Sequence, residues 1–195
     1  MSRPRILLAD DHTILLEAFR QLLAPTCDVL AAVTNGRALL ETAPGLKPDI
    51  IVLDISMPQL NGIEACRQLQ PQLPLTKWVF LTVNEDPDLA VEAFRLGASA
   101  FLLKSSAASE LFAAIQMAMQ GRQYLTPLIA KGVPLPLFLS RSPHPQADKL
   151  TARQREVLQL LAEGRLMKEA ADLLDVAPRT VAFHKYTIMR QLGIP

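Results

Sequence analysis

Polar and charged side chains follow several of the apolar runs that we predict as strands, and together they could perform phosphoryl transfer. Asp10 and Asp11 come directly after the first run, and Asp54 ends the third. Thr82 and Lys104 follow the fourth and fifth runs. Ligands of an open parallel sheet bind beyond the carboxyl ends of its strands. We therefore expect these five side chains to meet at one edge of a sheet.

The three carboxylates of this group predict a magnesium site beside a phosphoryl acceptor. Clustered carboxylates repel one another unless a hard cation neutralises them, and Mg²⁺ prefers oxygen ligands. A carboxylate beside Mg²⁺ can attack phosphorus and become an aspartyl-phosphate. Lys104 and the metal would then neutralise the transferred oxygens. Taken alone, Asp10 and Asp11 could equally be loop or N-cap residues, and it is the joint placement at four strand ends that favours the site.

Strand-length apolar runs alternate with helix-period stretches over the first 120 residues. The runs are Ile6–Ala9, Val29–Val33, Ile50–Leu53, Trp78–Leu81 and Ala100–Leu103. Each is continuous rather than alternating in polarity, which is typical of strands covered on both faces. Five βα units in succession predict an α/β fold with a doubly wound, five-stranded parallel sheet, as in flavodoxin-like proteins.

A second, smaller domain follows a proline-rich segment. Residues 123–148 hold five of the fifteen prolines, and we predict them as a linker. Thr151, with a glutamine three residues later, fits a capping box, and Pro178 suits the first turn of a later helix. Two helices joined by a tight turn, the second long and partly basic, predict an all-α helix-turn-helix domain at residues 149–195.

Composition and charge narrow the class of protein further. Half of the 195 residues are apolar and 20% are charged, as in globular domains. No apolar run reaches the roughly 18–20 residues that a membrane span requires, and we predict neither a membrane segment nor a signal peptide. Cys27 and Cys66 have no neighbouring Cys/His cluster, which favours reduced thiols and a cytoplasmic location. The net charge of +1 is the sum of an acidic amino-terminal part and a basic carboxy-terminal part. The basic part suggests a nucleic-acid partner.

Residues 1–122 resemble the receiver domain of two-component response regulators. Its acidic-pair motif is matched by ILLADDH, and its phosphoacceptor motif by LDISMPQLNGIE, including Met57, Pro58 and Gly62. The set is completed by VFLT and GASAFLLK. Residues 150–193 resemble the LuxR-type helix-turn-helix of the NarL/FixJ subfamily in the segments LTARQREVLQLLAEG, KEAADLLDV and TVAFHKYTIMRQLG.

The resemblance implies roles for individual residues of the first domain. Asp54 would be phosphorylated by a sensor histidine kinase. The implied Mg²⁺ ligands are Asp10, Asp11, Asp54 and the backbone carbonyl of Ser56. Lys104 would pair with the phosphoryl group, Thr82 would move toward it, and Phe101 would be the family's aromatic switch. Core packing in the fifth strand is the alternative interpretation of Phe101, and the two are compatible.

The resemblance also implies that the last helix enters the major groove of an operator DNA. The residues expected to face DNA are Lys168, Arg179, Thr180, Ala182, Phe183, Lys185, Tyr186 and Arg190. The chain departs from the family at three points. Ala182 stands where the family usually has Lys or Arg, and Ala177 stands where it usually has a Ser or Thr cap. We also expect the helical domain to lack the family's usual fourth helix.

Three hypotheses for function follow from these residues. The first is a phosphorylation-controlled, DNA-binding transcription regulator, a homodimer when phosphorylated, with RNA polymerase as a possible partner. Such a protein is not an enzyme beyond its own Mg²⁺-dependent phosphoryl transfer and hydrolysis. The second is a phospho-dependent interaction module whose shortened helical domain docks on protein, which the apolar Ala182 and Phe183 favour somewhat. The third, an enzyme with Asp54 as nucleophile, is disfavoured because a phosphate-binding glycine loop is absent from the sequence.

Overall fold

A six-stranded parallel sheet forms the amino-terminal domain in the computed structural model, which describes residues 3–140 and 150–193. Its strands are β1 (Arg5–Ala9), β2 (Asp28–Val33), β3 (Ile50–Asp54), β4 (Lys77–Thr82), β5 (Ala98–Leu103) and β6 (Tyr124–Leu125). Their order is β2-β1-β3-β4-β5-β6. The five predicted strands are confirmed. The sixth was missed because two residues carry no periodic signal.

Helices cover both faces of this sheet, as a doubly wound fold requires. They are α1 (Thr13–Leu23), α2 (Gly36–Leu46), α3 (Gly62–Leu69), α4 (Pro87–Arg95) and α5 (Ala107–Met119). Apolar side chains of α1 and α5 pack on one face, and those of α2, α3 and α4 pack on the other. Strand β4 shows why its run is continuous, because Trp78 and Phe80 enter one cluster while Val79 and Leu81 enter the other.

The first part of the predicted linker is folded against the sheet. Strand β6 pairs with β5, and the short helices α6 (Pro127–Ala130) and α7 (Leu135–Leu139) follow. Ile129 and Phe138 are buried in the same cluster as Phe101. Burying two such side chains contributes about 1.5–3 kcal/mol each, which helps to order a short segment. Residues 141–148 of the predicted linker lie outside the described residues.

Residues 150–193, the described part of the carboxy-terminal domain, form three helices: α8 (Ala152–Ala162), α9 (Met167–Leu173) and α10 (Pro178–Leu192). The capping box at Thr151 and the proline in the first turn of α10 are confirmed. Ala177, at the N-cap of α10, makes no side-chain cap. The apolar pattern of α9 predicts Leu173 in the core of these three helices, but the structure places it at the surface. Its side chain is 37% exposed, because Ala170, Ala171 and Leu174 form the buried side of this short helix.

Each helix of the described residues is too short or too polar to cross a membrane. The two cysteines are free and buried, and they lie in the clusters on opposite faces of the sheet. A disulfide between them would have to pass through the sheet, so the structure agrees with the predicted reduced thiols.

Burial makes Cys66 a test of the packing around α3. It raises the pKa of this thiol from 9.0 to about 12, although the nearby Arg67 partly opposes the shift. The thiolate fraction at pH 8 should therefore be roughly a thousandfold lower than for an ordinary thiol. We expect Cys66 to resist a thiol-exchange reagent in the folded chain and to react fully in urea. Site-resolved mass spectrometry measures this, and equal rates in both conditions would contradict the packing.

Candidate functional site

The carboxyl ends of β1, β3 and β5 bring Asp10, Asp54 and Lys104 into direct contact. The Lys104 Nζ atom lies 2.8 Å from Asp10 Oδ2 and 2.9 Å from Asp54 Oδ2. Both carboxylate side chains are only 2% exposed, and that of Lys104 is 10% exposed. The parallel strand order places these three ends at one edge, as the sequence predicts. The result is one ammonium shared by two buried carboxylates.

This cluster holds more negative than positive charge. Burial raises the pKa of Asp54, and repulsion from Asp10 acts in the same direction, while Lys104 and the Ser56 N–H partly oppose it. Burial lowers the pKa of Lys104, but its hydrogen bonds and attraction to Asp10 and Asp54 outweigh that effect and raise the pKa overall. Lys104 therefore stays an ammonium at neutral pH. An added cation would relieve the remaining repulsion between the carboxylates.

The acidic cluster fits a hard divalent cation. Ligand atoms of Asp10, Asp11, His12 and Asp54 all lie within 4.8 Å of one another. Asp11 is at the exposed rim, and Ser56 lines the same cleft. Three carboxylates supply the oxygen ligands that Mg²⁺ prefers. The donor set is therefore suited to such an ion, with Asp10 and Asp54 buried and Asp11 exposed.

His12 is a neighbour of this cluster that we did not predict. Its Nδ1 lies 2.9 Å from Asp11 Oδ1 and 3.1 Å from Asp10 Oδ1. Its backbone N–H donates to Asp10 Oδ1 over 2.9 Å. The signal was present in the sequence, since the histidine directly follows the acidic pair. His12 helps to fix the orientation of the Asp10 carboxylate.

Thr82 and Phe101 connect this edge of the sheet to its interior. Thr82 is fully buried, and its Oγ1 accepts a hydrogen bond of 3.0 Å from the Asn84 N–H. The Lys104 N–H donates to the Thr82 carbonyl over 2.7 Å, which ties the ends of β4 and β5 together. Phe101 is fully buried in the apolar cluster that also contains Ile129 and Phe138, as core packing predicts. Its role as a switch stays a prediction.

One face of α10 presents both cations and aromatic rings. Arg179, Phe183, Tyr186 and Arg190 are all exposed, and their spacing of four, three and four residues places them on one side of the helix. Lys168 of α9 is also exposed. The remaining residues predicted to face DNA are half-buried: Thr180, Ala182 and Lys185. The exposed face thus combines groups that can pair with phosphates and groups that can pack on bases.

Helix α8 contacts the amino-terminal domain through charged pairs that the sequence did not reveal. Arg155 Nε lies 2.6 Å from Glu64 Oε2, and Arg37 Nη2 lies 2.8 Å from Glu156 Oε2. Glu64 is in the first turn of α3, and only 1% of its surface is exposed. Such pairs between distant residues leave no local pattern in a sequence. They bring the two domains together beside the acidic cluster.

Comparisons with known proteins agree with this geometry. Residues 6–116 match the family described as the response regulator receiver domain, and residues 148–195 match that of the bacterial regulatory proteins, luxR family. The transcriptional regulatory protein UhpA of Escherichia coli is 36% identical over 191 residues, covering 97% of this chain and 91% of that protein. The nitrate/nitrite response regulator protein NarL of the same organism is 31% identical over 192 residues, covering 97% and 89%.

Solved structures show the same two-domain architecture. The structure of the response regulator RcsB in complex with DNA has a TM-score of 0.63 and 25% identity, and covers all of this chain and 94% of that one. RcsB of Salmonella enterica serovar Typhimurium, bound to a promoter in the presence of a phosphomimetic, gives 0.64 and 25% with the same coverage. The chain therefore belongs to the two-component response regulators of the NarL/FixJ type, with a receiver domain followed by a LuxR-type helix-turn-helix domain.

Proposed function

We propose that this chain is a transcription regulator whose binding to DNA is controlled by phosphorylation of Asp54 by a sensor histidine kinase. The observation that carries the proposal is Lys104, held between Asp10 and Asp54 at the sheet edge of a receiver joined to a helix-turn-helix. A buried carboxylate beside a buried ammonium is poised to accept a phosphoryl group, because the ammonium neutralises charge on the transferred oxygens. The helix-turn-helix supplies the output.

Each residue of the site has a separate role in the proposed phosphoryl transfer. The Asp54 carboxylate attacks phosphorus and forms the new P–O bond as the donor's leaving group departs. Lys104 pairs with the transferred oxygens, and the Thr82 hydroxyl donates to one of them. The residues that would hold Mg²⁺ are Asp10, Asp11, Asp54 and the backbone carbonyl of Ser56. When bound, the ion neutralises charge on the transferred oxygens.

Phosphorylation adds about −1.5 to −2 charges at Asp54 and must shift an element with two stable states. We propose that movement of Thr82 and Phe101 alters the surface from about residue 88 to residue 120. The Thr126 N–H donates to the Phe101 carbonyl over 3.0 Å, so β6 and the helices after it would move with this surface. The proposed domains are residues 1–122, 123–148 and 149–195, with residues 124–139 docked on the receiver.

Helix α10 is proposed to enter the major groove of an operator. Arg179 and Arg190 would contact phosphates, while Phe183 and Tyr186 would pack against base edges, including thymine methyl groups. Two chains would bind the two halves of a symmetric site when phosphorylated. We propose a cytoplasmic location, contact with RNA polymerase, and no enzymatic activity beyond the receiver's own phosphoryl transfer and hydrolysis. The likeness to RcsB–DNA complexes does not favour the alternative of a protein-docking module.

Selection of genomic DNA fragments tests this function directly. The purified chain is incubated with Mg²⁺, with and without beryllofluoride as a phosphoryl mimic, at several salt concentrations. We expect enrichment of a symmetric site that depends on the mimic and weakens steeply as salt rises. Absence of enrichment in both states would overturn DNA binding and would leave the receiver assignment intact.

Arg190→Ala tests the proposed phosphate contact of α10. The variant should bind the selected site more weakly, and the slope of log affinity against log salt should fall in magnitude by about one. Arg122→Ala removes an exposed arginine outside the helix-turn-helix and is the matched control. Fluorescence anisotropy with labelled operator measures both slopes. If the two variants had identical slopes of log affinity against log salt, Arg190 would not contact a DNA phosphate.

A further inference from the structure

The loop that follows the phosphoacceptor is held by the carboxy-terminal domain. We propose that α8 positions the acceptor loop, residues 55–61 between β3 and α3, for Mg²⁺ binding, and that Gln159 is the main positioning residue. This inference rests on the proposed function, because it assigns a role in the chemistry of Asp54. It gives the output domain an effect on the receiver's own reaction.

Three hydrogen bonds join Gln159 to the acceptor loop. Its Nε2 donates to the Met57 carbonyl over 2.9 Å. Its Oε1 accepts from the Asn61 N–H over 2.9 Å and from Asn61 Nδ2 over 3.0 Å. Asn61 is also the N-cap of α3, since its side chain accepts from the Glu64 N–H. The Gln159 side chain therefore forms hydrogen bonds with the acceptor loop both near its beginning and at its end.

Glu163, one turn further along at the C-cap of α8, accepts a hydrogen bond from the middle of the acceptor loop. Its carboxylate accepts from the Gln59 N–H at 3.1 and 3.4 Å, and from Gln159 Nε2 at 2.8 Å. Gln59 has a backbone φ of +67°, in the left-handed region that residues other than glycine rarely adopt. A backbone in this conformation needs support from its surroundings to persist. Glu163 supplies such support to the one loop residue that is strained.

Charged pairs fix α8 in the register that these contacts require. Arg155 pairs with the buried Glu64, and Glu156 accepts from Arg37 and from Gln68, each at 2.8 Å. A buried carboxylate left without its partner is strongly destabilising. Sliding α8 along α3 would therefore break pairs at several points. The docked position is set by specific partners.

The docked arrangement leaves the proposed DNA-reading face of α10 open. Phe183 and Tyr186 are 67% and 68% exposed while α8 is in contact with the receiver. The contact with the receiver therefore does not cover these two side chains. Its effect falls instead on the loop that α8 touches, which begins directly after Asp54 and contains Ser56.

Ordering this loop in advance favours the cation. The backbone carbonyl of Ser56 is the proposed ligand, and its neighbour Met57 is held by Gln159. A loop that is already ordered loses less conformational freedom when the ion binds, so its affinity is higher. By thermodynamic linkage, Mg²⁺ binding and α8 docking must then strengthen each other by the same factor.

The test replaces Gln159 in the full chain by methionine, which keeps the length of the side chain and removes its hydrogen bonds. Gln191→Met, at an exposed position of α10, is the matched control. Calorimetric titration of metal-free protein gives the Mg²⁺ dissociation constant without any reaction. We expect it to rise roughly two- to tenfold for Gln159→Met, as the loss of a net contribution of one or more hydrogen bonds implies, and to stay unchanged for the control.

Labelling by acetyl phosphate supplies the second readout. For Gln159→Met the Mg²⁺ concentration at half-maximal rate should rise in parallel, while the rate at saturating Mg²⁺ approaches that of the parent chain. A general loss of structure would lower the plateau instead. Glu163→Gln, at an exposed position, should shift the dissociation constant in the same direction by a smaller factor, and it replaces the first variant if that variant does not fold.

The outcomes separate this inference from the proposed function. Normal labelling of Asp54 in the parent, with the same Mg²⁺ dissociation constant in Gln159→Met, overturns the role of α8 and leaves the phosphoacceptor intact. An equal rise in Gln159→Met and Gln191→Met also overturns it, because the effect is then not local. Failure of the parent chain to be labelled at Asp54 overturns the proposed function, and the inference falls with it.

Discussion

Asp54→Ala should abolish Mg²⁺-dependent labelling of this chain by acetyl phosphate, with a fall in rate of at least about a hundredfold. The substitution removes the nucleophile, and the neighbouring Asp10 is a poor substitute. Its Oδ2 faces Lys104 at 2.8 Å, and its Oδ1 accepts the His12 N–H at 2.9 Å. Covalent catalysis needs a free carboxylate oxygen in line with the phosphorus. Intact-protein mass spectrometry after timed incubation measures the phosphoryl adduct.

The matched control for this experiment is Asp28→Ala. Asp28 is exposed at the start of β2, at the opposite end of the strands from the acidic cluster. The control should be labelled at the rate of the parent chain, and adding a chelator should stop labelling in both. Persistent Mg²⁺-dependent labelling of Asp54→Ala would refute the assignment of the acceptor.

Loss of labelling must also be separated from loss of fold. Burial raises the pKa of Asp54, so its charge disfavours the folded state in the absence of metal. A carboxyl with a raised folded pKa contributes stability below its unfolded pKa of about 3.9, and that contribution is lost as the pH rises through the folded value. At pH 7 the isosteric Asp54→Asn should therefore unfold at no lower urea concentration than the parent. It should nonetheless fail to be labelled.

The positions of the acidic cluster could be predicted because they follow from topology. A parallel sheet places all strand ends of one kind at one edge, and Asp10, Asp54 and Lys104 each follow a clear apolar run. Pattern alone could also locate the start of α8, since the capping box at Thr151 is a local feature. The exposed face of α10 follows in the same way from helical spacing.

What the sequence did not reveal depends on contacts between distant residues. Gln159 looks like an ordinary polar residue of an amphipathic helix, and nothing near it in sequence indicates Met57 or Asn61 as partners. The prolines after α5 suggested a linker, yet Ile129 and Phe138 are buried on the sheet because their apolar surface finds a place there. Local pattern is informative about elements, and side-chain complementarity across elements decides how they dock.

Gly62→Ala should destabilise the receiver by about 3 kcal/mol or more. A Cβ atom at this position would lie 2.2 Å from the Asp54 carbonyl oxygen and 3.1 Å from Ile55 Cα. Both are backbone atoms of the loop entrance, so neither can turn aside as a flexible side chain would. Helix α3 begins at this glycine, whose N–H donates to the Ile55 carbonyl over 2.9 Å. The added methyl group must push α3 away from the end of β3.

Gly45→Ala is a control with the opposite expected sign. It lies inside α2, and an added Cβ would meet nothing within 4 Å. Alanine is favoured over glycine in a helix by about 0.5–1 kcal/mol, so this variant should be slightly more stable than the parent. Urea unfolding followed by the fluorescence of Trp78, the single tryptophan and a buried residue of the receiver, measures both changes.

Gly62→Ala should also weaken Mg²⁺ binding and labelling under conditions where the variant is still folded. Moving α3 displaces Asn61, and with it the end of the acceptor loop that Gln159 holds. Gly62 is therefore needed for close approach between α3 and the acceptor strand, and that approach sets the loop on which both the metal and α8 depend. A Gly62→Ala chain with the stability and Mg²⁺ affinity of the parent would show that α3 can shift without disturbing the site. The coupling between α8 and the acceptor would then have to run through the charged pairs at Glu64 and Glu156 instead.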